Sequence, residues 1–568
     1  MLFDIIYLFI YTLSLSFVFV ACGYWALSYS ISLKAEPVLL RISMSYFMGM
    51  SIFLSLWRCI AFIFKEAQIS LIVAICIIFV ISLFALLKFK DTLSRYCISI
   101  YLSKKKFMSI VIIISSLFYL FSILYWLWPY KEIDIYSMVG SLHSGRYASV
   151  ANFVVDNNFI PRINQNYGQS MLVAVSLFAG QNMPLLALNL WLSNSLIFLT
   201  MMVYGLFIKL LVNKYMALFG TIIVMLGNTA LSLTHVLVID SGSPLILNGY
   251  TDTIFSIGSF IIFLFFLNGL CRNKINSSPL FYALLVMLYI SWGISAPQNI
   301  ILSILSILVI IPFIFKKLYS FKMPIIIIFA SAIISCMFGG MLTPKSMQDN
   351  INIPGLMSVS TQKNSGIRPI LPHHYGAAGT WKFGGASENT LIKEQIVNLK
   401  HEIDNKEFFS AATILYDLYY QAERNFIDSF RITFFPVLGI LGLIYFLIRR
   451  KIDYENYTLI KIFLIFGILT FCCGFSIAFF IQKSGYKWEL SRFMILGYSI
   501  GLFAFAIVVD AFIKNMHSSK KILICAGIIF LMTIGPITNS IFIVKKNVDS
   551  KHSIAFTERL KILINDKS

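Results

Sequence analysis

Between Pro129 and Gln169 the chain collects Glu132, Asp134, His143, Arg146, Asp156 and Arg162 in one polar stretch. A carboxylate placed against a hydroxyl can take its proton, and a nearby His or Arg can steady a developing anion. Asp134 follows the preceding apolar run by about five residues, which puts it near a membrane surface. From Tyr136 to Asn157, Met138, Leu142, Val150, Phe153 and Val154 recur at helical spacing, which predicts an amphipathic helix in the membrane plane. His143 and Arg146 are three apart and share one face of that helix. Pro161 and Gly168 then mark a turn.

Three further stretches carry candidate chemistry. In residues 482–493, QKSGYKWELSRF, Lys487 and Arg492 could hold a phosphate, Arg in two-pronged fashion; interfacial anchoring by Lys, Arg and Trp weighs equally, although basic residues on the outer side run against the usual bias. The run from Arg368 to Gly376 includes His373 and His374. Adjacent His side chains diverge and no third ligand follows at useful spacing, so hydrogen bonding to a sugar or phosphate fits better than a metal site. Asp240 and Asp252 flank a short polar turn; Asp252 reads as a helix cap, and Asp240 as a second carboxylate of undecided role. No phosphate-binding glycine loop, nucleophile elbow or His-Glu-x-x-His pair occurs.

The elements that must position these residues are apolar. Of 568 residues, 58% are hydrophobic, 15% aromatic and only 12% charged, with a mean hydropathy of +0.83. This describes an all-α polytopic membrane protein. Apolar runs fall near 4–30, 37–64, 69–88, 108–128, 185–208, 215–238, 252–270, 279–296, 298–315, 323–343, 432–448, 458–481, 494–513 and 522–544, about 14 spans. The first reads as a retained span, since it lacks a basic leader and a cleavage site. The organisation is then N-terminal spans (1–128), a polar outer loop (129–169), central spans (170–343), a large outer loop (344–431) and C-terminal spans (432–568). Interfacial helices are expected in the outer loops.

The net charge of +20 comes largely from short basic segments. These include Lys88 to Lys106, Arg272/Lys274, Lys316 to Lys322, Arg449 to Lys451 and Lys514 to Lys521. Such clusters fix orientation by remaining cytoplasmic, and nucleic acid is not an expected partner. The 129–169 loop then faces away from the cytoplasm, provided that 170–183 does not cross and forms a half-helix or re-entrant piece. None of the nine Cys lies in the two long polar loops, so neither disulfides nor a thiolate metal site is indicated.

The order Asp134, Tyr136, a helix with His143 and Arg146-Tyr147, then Ile160-Pro161 and Gly168 resembles the first outer loop of the GT-C superfamily. These are membrane glycosyltransferases that use polyprenyl-phosphate-linked sugars. Glu489-Leu490-Ser491-Arg492-Phe493 is similar to their late Arg-aromatic segment. Four spans precede the acidic loop here, where one is usual in the family, and Glu132-Ile133-Asp134 stands in place of an Asp-x-Asp pair. The resemblance implies Asp134 as general base with Glu132 beside it. It implies Arg492, Lys487 and Arg146 on the donor phosphate. The reading of the residues themselves adds His143, Arg368, His373, His374 and Asp240 as candidate substrate contacts. No metal ligand is assigned and no cofactor is required, a divalent cation being left open. The implied partners are a polyprenyl-phosphate sugar donor, a glycan, lipid or protein acceptor and the lipids of a bacterial inner membrane. Two other readings use the same features. An O-antigen polymerase or ligase would depend on the Arg368–His374 cluster, and a transporter or flippase would need ionisable residues inside the spans.

Overall fold

The computed structural model describes residues 2–30, 36–102, 150–160, 168–180, 184–211, 214–227, 239–240, 243–244, 251–271, 279–295, 305–306, 308, 322–338, 397, 400–401, 403–405, 434–448, 454–481, 487–513, 516–517 and 519–529. Helices dominate: α1 (Leu2–Ser30), α2 (Val38–Phe64), α3 (Ala67–Leu102), α4 (Gly168–Phe178), α5 (Pro184–Leu210), α6 (Lys214–Gly227), α7 (Thr251–Cys271), α8 (Pro279–Ser295), α9 (Lys322–Phe338), α10 (Phe434–Ile448), α11 (Tyr454–Ile481) and α12 (Lys487–Ile513). Among the described residues the extended structure is one antiparallel ladder, β1 (Ile239–Asp240) against β2 (Ser243–Pro244).

A helix satisfies every interior backbone group within itself, which is why these apolar runs fold this way. Ile6–Tyr29, Val38–Phe64, Ala67–Leu87 and Leu190–Leu210 are long and apolar enough to cross a membrane. Shorter apolar helices accompany them, among them Ile257–Leu270 and Pro279–Ser295. Hydroxyls inside the bundle bond back to carbonyls one turn earlier: Thr12 to Leu8, Ser16 to Thr12, Ser43 to Leu39, Ser51 to Phe47. No hydroxyl in these pairs is left to cost desolvation in the apolar interior.

α1 and α2 run antiparallel and touch backbone to backbone. A Cβ on Gly23 would collide with the Ser45 carbonyl, and one on Gly49 with that of Phe19. Small residues at a crossing let two helices approach closely where no hydrophobic drive separates protein from lipid. α5 lies antiparallel to α2 as well, with Gly205 against Leu40 and the Tyr46 hydroxyl 3.1 Å from Ser195 Oγ. Phe19, Phe53, Trp57 and Trp191 pack at centroid distances of 5.2 to 5.9 Å in the resulting core. α8 runs parallel to α2, the Ser55 hydroxyl donating to the Met287 carbonyl at 2.6 Å.

These registers define two ends of the bundle. One holds Arg58, the α2–α3 turn and the C-terminus of α8. The other holds Glu36, just ahead of α2, and Lys209 at the foot of α5, whose side chains form an ion pair. α3 starts at the Arg58 end, so Lys88 lies about 32 Å away along the helix, at the opposite end. Phe265 of α7 sits beneath Lys209, so α7 also ends there, leading into Arg272 and Lys274.

The segment predicted not to cross is α4, 11 residues and about 16 Å long, half of what the apolar layer requires. Its Gly168 abuts Ser295 at the Arg58 end, where an added Cβ would lie 3.0 Å from Ser295 Cα. Its other end meets the early part of α5, the Trp191 indole donating to Ser176 Oγ at 3.2 Å. Gly180, with φ +87, supplies a left-handed residue in the turn between them. α4 therefore starts at the Arg58 end and reaches as far as the level of Trp191 in α5.

Candidate functional site

The described part of the polar 129–169 stretch is its exit, and that exit is built into the Arg58 end. Residues 150–156 are helical and bury Val150, Ala151 and Val154 in the bundle core, leaving Asn152, Asp156 and Asn157 exposed. The helix stops because Asn158 takes a left-handed conformation, φ 47, which Asn adopts more readily than most residues. The Asn158 amide donates to Val155 O at 3.3 Å and the Phe159 amide to Val154 O at 3.2 Å, which closes the orphan carbonyls of the last turn.

Across from it, α2 ends in the same way. Lys65 is left-handed at φ 61 and its amide returns to Ala61 O at 3.0 Å. α3 begins two residues later, and its first amides need acceptors. Asn158 supplies both: the Ala67 amide donates to the Asn158 carbonyl at 2.8 Å and the Gln68 amide to Asn158 Oδ1 at 2.7 Å. One residue thus ends its own helix and caps another 90 positions away in sequence. The Trp57 indole, fully buried, donates to Ala67 O at 3.0 Å and holds the start of α3 from below. Arg58, 6% exposed, donates from Nη1 to the Ile160 carbonyl at 3.2 Å. A buried guanidinium is a costly group to place, and here it fixes the chain as it leaves the polar stretch.

The start of α12 reaches the same end. Phe503 packs on Phe207 of α5 at 4.8 Å, just before Lys209. α11 crosses in the opposite sense, with Phe463 against Phe503, Gly467 against Ile500, and Phe466 4.1 Å from Phe260 of α7. Phe260 lies further from the Glu36 end than Phe265, so Ile500 does too, and α12 runs toward the Glu36 end. Lys487, sixteen residues before Phe503, is about 24 Å back along α12, toward Arg58. α10 runs parallel to α12, with Gly439 against Gly501 and Phe446 5.7 Å from Phe512. The helix ends that lead into Arg449 and Lys514 therefore also lie at the Glu36 end.

Of the residues predicted for chemistry, Glu132, Asp134, His143, Arg146, Arg368, His373 and His374 lie outside the described residues. Asp240 closes β1, its backbone paired with Ser243 across a tight turn. Lys487 and Arg492 lie in the first turns of α12, five residues apart, about 140° around the helix axis. Glu489 and Arg492, three apart, share a face instead. Among the described residues no group of three His, Cys, Asp or Glu side chains is placed to hold a metal ion.

Sequence reasoning passed over Arg41 and Arg58, both buried in α2, and the Glu36–Lys209 pair. The signal was there: ionisable residues within a span are expensive to place and mark a special environment. Asn158, by contrast, looks like any loop residue until Ala67 and Gln68 are seen to lean on it. No known protein family matches this chain, and no curated protein or solved structure is similar to it.

Proposed function

We propose that the chain is a membrane glycosyltransferase working at the Arg58 end of the bundle. It would move a sugar from a polyprenyl-phosphate donor to a cell-envelope glycan, lipid or protein. The observation that carries this reading is the anchoring of the polar stretch. Arg58 and Asn158 tie its exit to the end of α2 and the start of α3, at the end that the start of α12 also approaches and away from the helix ends leading into basic segments. This supports the reading because a base and a phosphate-holding group acting on one substrate must work from one side of the membrane, and residues 150–160 and the start of α12 lie at the same end.

In this reading Asp134 takes the proton from the acceptor hydroxyl, with Glu132 beside it. The acceptor oxygen bonds to the anomeric carbon as the bond from that carbon to the phosphate oxygen breaks, with inversion. The electron pair leaves on the polyprenyl phosphate, steadied by Arg492, Lys487 and Arg146. His143, Arg368, His373, His374 and Asp240 supply hydrogen bonds to the saccharides. The apolar tail rests among the spans.

The test is sugar transfer by purified protein from polyprenyl-phosphate donors, wild type against Asp134→Asn. Lost transfer with donor binding retained supports the reading. Normal transfer by Asp134→Asn alongside loss in Arg368→Ala or His373→Ala replaces it with a polymerase or ligase that relies on the second loop.

A further inference from the structure

At the Glu36 end, far from the proposed catalytic face, two buried acceptor oxygens have no donor among the described residues. Glu36 gives Oε1 to Lys209, and its side chain is 8% exposed. Its second oxygen, Oε2, is buried and has no hydrogen-bond partner among the described residues. The amide oxygen of Asn268 is in the same condition. Lys209 brings Glu36 and α7 together: its ammonium bonds Glu36 and stands 5.2 Å from the centre of the Phe265 ring. Asn268 follows Phe265 by three residues and therefore lies on the same face of α7, one turn on.

A buried carboxylate oxygen without a donor costs more than a neutral orphan would, so its complement should bring a donor or a positive ion. The Glu36–Lys209 pair is neutral as a whole, and the surrounding backbone adds negative charge. α5 and α7 both end here, Lys209 and Asn268 lying in their last turns, and each helix C-terminus presents a partial negative charge of about half a unit together with unbonded carbonyls. A single positive charge matches that sum, whereas a divalent ion beside a lysine would exceed it.

We propose that Glu36 Oε2 and Asn268 Oδ1, beside the Glu36–Lys209 pair, bind a compact monovalent cation at this end of the bundle. Two sources share that chemistry: an alkali metal ion, or the primary ammonium of a lipid headgroup reaching the ends of α5 and α7 from the membrane. Occupancy ties the head of α2 to the feet of α5 and α7. The inference is independent of the glycosyltransferase reading.

The test is thermal unfolding of the full-length protein in lipid nanodiscs at constant ionic strength. K⁺ or Na⁺ is titrated against N-methylglucamine, a cation too large for the site, in discs of phosphatidylcholine with or without phosphatidylethanolamine. Binding to the folded state alone gives a saturable rise in melting temperature of a few degrees. A rise with alkali ion in pure phosphatidylcholine assigns the site to the ion; a rise that needs phosphatidylethanolamine assigns it to the headgroup ammonium. Asn268→Leu keeps the ion pair and should abolish the rise, and Asn268→Asp should bring half-saturation to lower concentration. Glu36→Gln should abolish it too, although losing the pair could lower the baseline. A wild-type melting temperature indifferent to every cation and lipid, or an unchanged rise in Asn268→Leu, overturns the proposal.

Discussion

The Arg58 guanidinium donates to the carbonyl of Ile160, 102 residues further along the chain, with Arg58 buried at the end of α2. This bond joins α2 to the described exit of the polar stretch. It makes the position of residues 150–160 a property of the bundle.

Replacing Arg58 by Met keeps the bulk and removes the charged donor. The Ile160 carbonyl then loses a bond to a charged group, worth about 1.5–3 kcal/mol. The expected result is a lower unfolding temperature together with faster amide exchange in peptides covering 150–160. Exchange at α10, which packs on α12 rather than on α2, should remain as in wild type. Unchanged exchange at 150–160 would show that Arg58 does not hold the segment.

Asn158 performs two tasks that different substitutions separate. Asn158→Gly tolerates φ 47 but gives up the bond from the Gln68 amide, for a loss of about 1 kcal/mol. Asn158→Leu loses that bond and also strains the left-handed backbone, for about 1–2 kcal/mol more. Chemical or thermal unfolding should rank wild type above Gly and Gly above Leu. Equal stability of the two variants would remove the conformational half of the argument.

Gly49 and Gly527 make a matched pair. A Cβ at Gly49 runs into the Phe19 backbone, which cannot swing away, whereas at Gly527 nothing lies within 4 Å. Gly49→Ala should therefore force α1 and α2 apart and cost about 1–3 kcal/mol or more. Gly527→Ala should be neutral or slightly stabilising, since Ala is the better helix former. Size-exclusion profiles and unfolding temperatures of the two variants decide the matter.

Sidedness can be read by labelling. In a background with the native cysteines replaced, Cys at the exposed Asp156 should react with a membrane-impermeant maleimide in intact cells. Cys at Lys88 or Arg449 should react only after permeabilisation, because basic segments stay in the cytoplasm. Labelling of Lys88 and Asp156 from the same side would contradict the antiparallel run of α3 away from Asn158.

Much of the framework was legible beforehand. Apolar runs at 37–64, 252–270 and 279–296 became α2, α7 and α8 within a residue or two, because twenty consecutive apolar residues leave the backbone little alternative to a helix. The segment 170–183 was legible as a short apolar piece, and α4, which overlaps it, is 11 residues long. The Asp134 loop and the Arg368–His374 cluster were legible only as polar stretches between apolar ones.

What hydropathy determined by itself is where the chain becomes helix, since that depends on each residue's own transfer cost and on its neighbours one turn away. Which helices touch was decided only in three dimensions. Gly23 and Gly49 are unremarkable apolar positions until α1 and α2 cross over them, and Asn158 is a plain turn residue until α3 needs two acceptors. Arg41, Arg58 and Lys209 read as breaks in apolar runs, and only the fold buries the two arginines and sets Lys209 against Glu36. Such pairings join residues 90, 102 and 173 positions apart, and the Ser55–Met287 bond spans 232. No local pattern encodes them, because the free energy that selects them arises from close packing and from satisfying buried polar groups between distant segments.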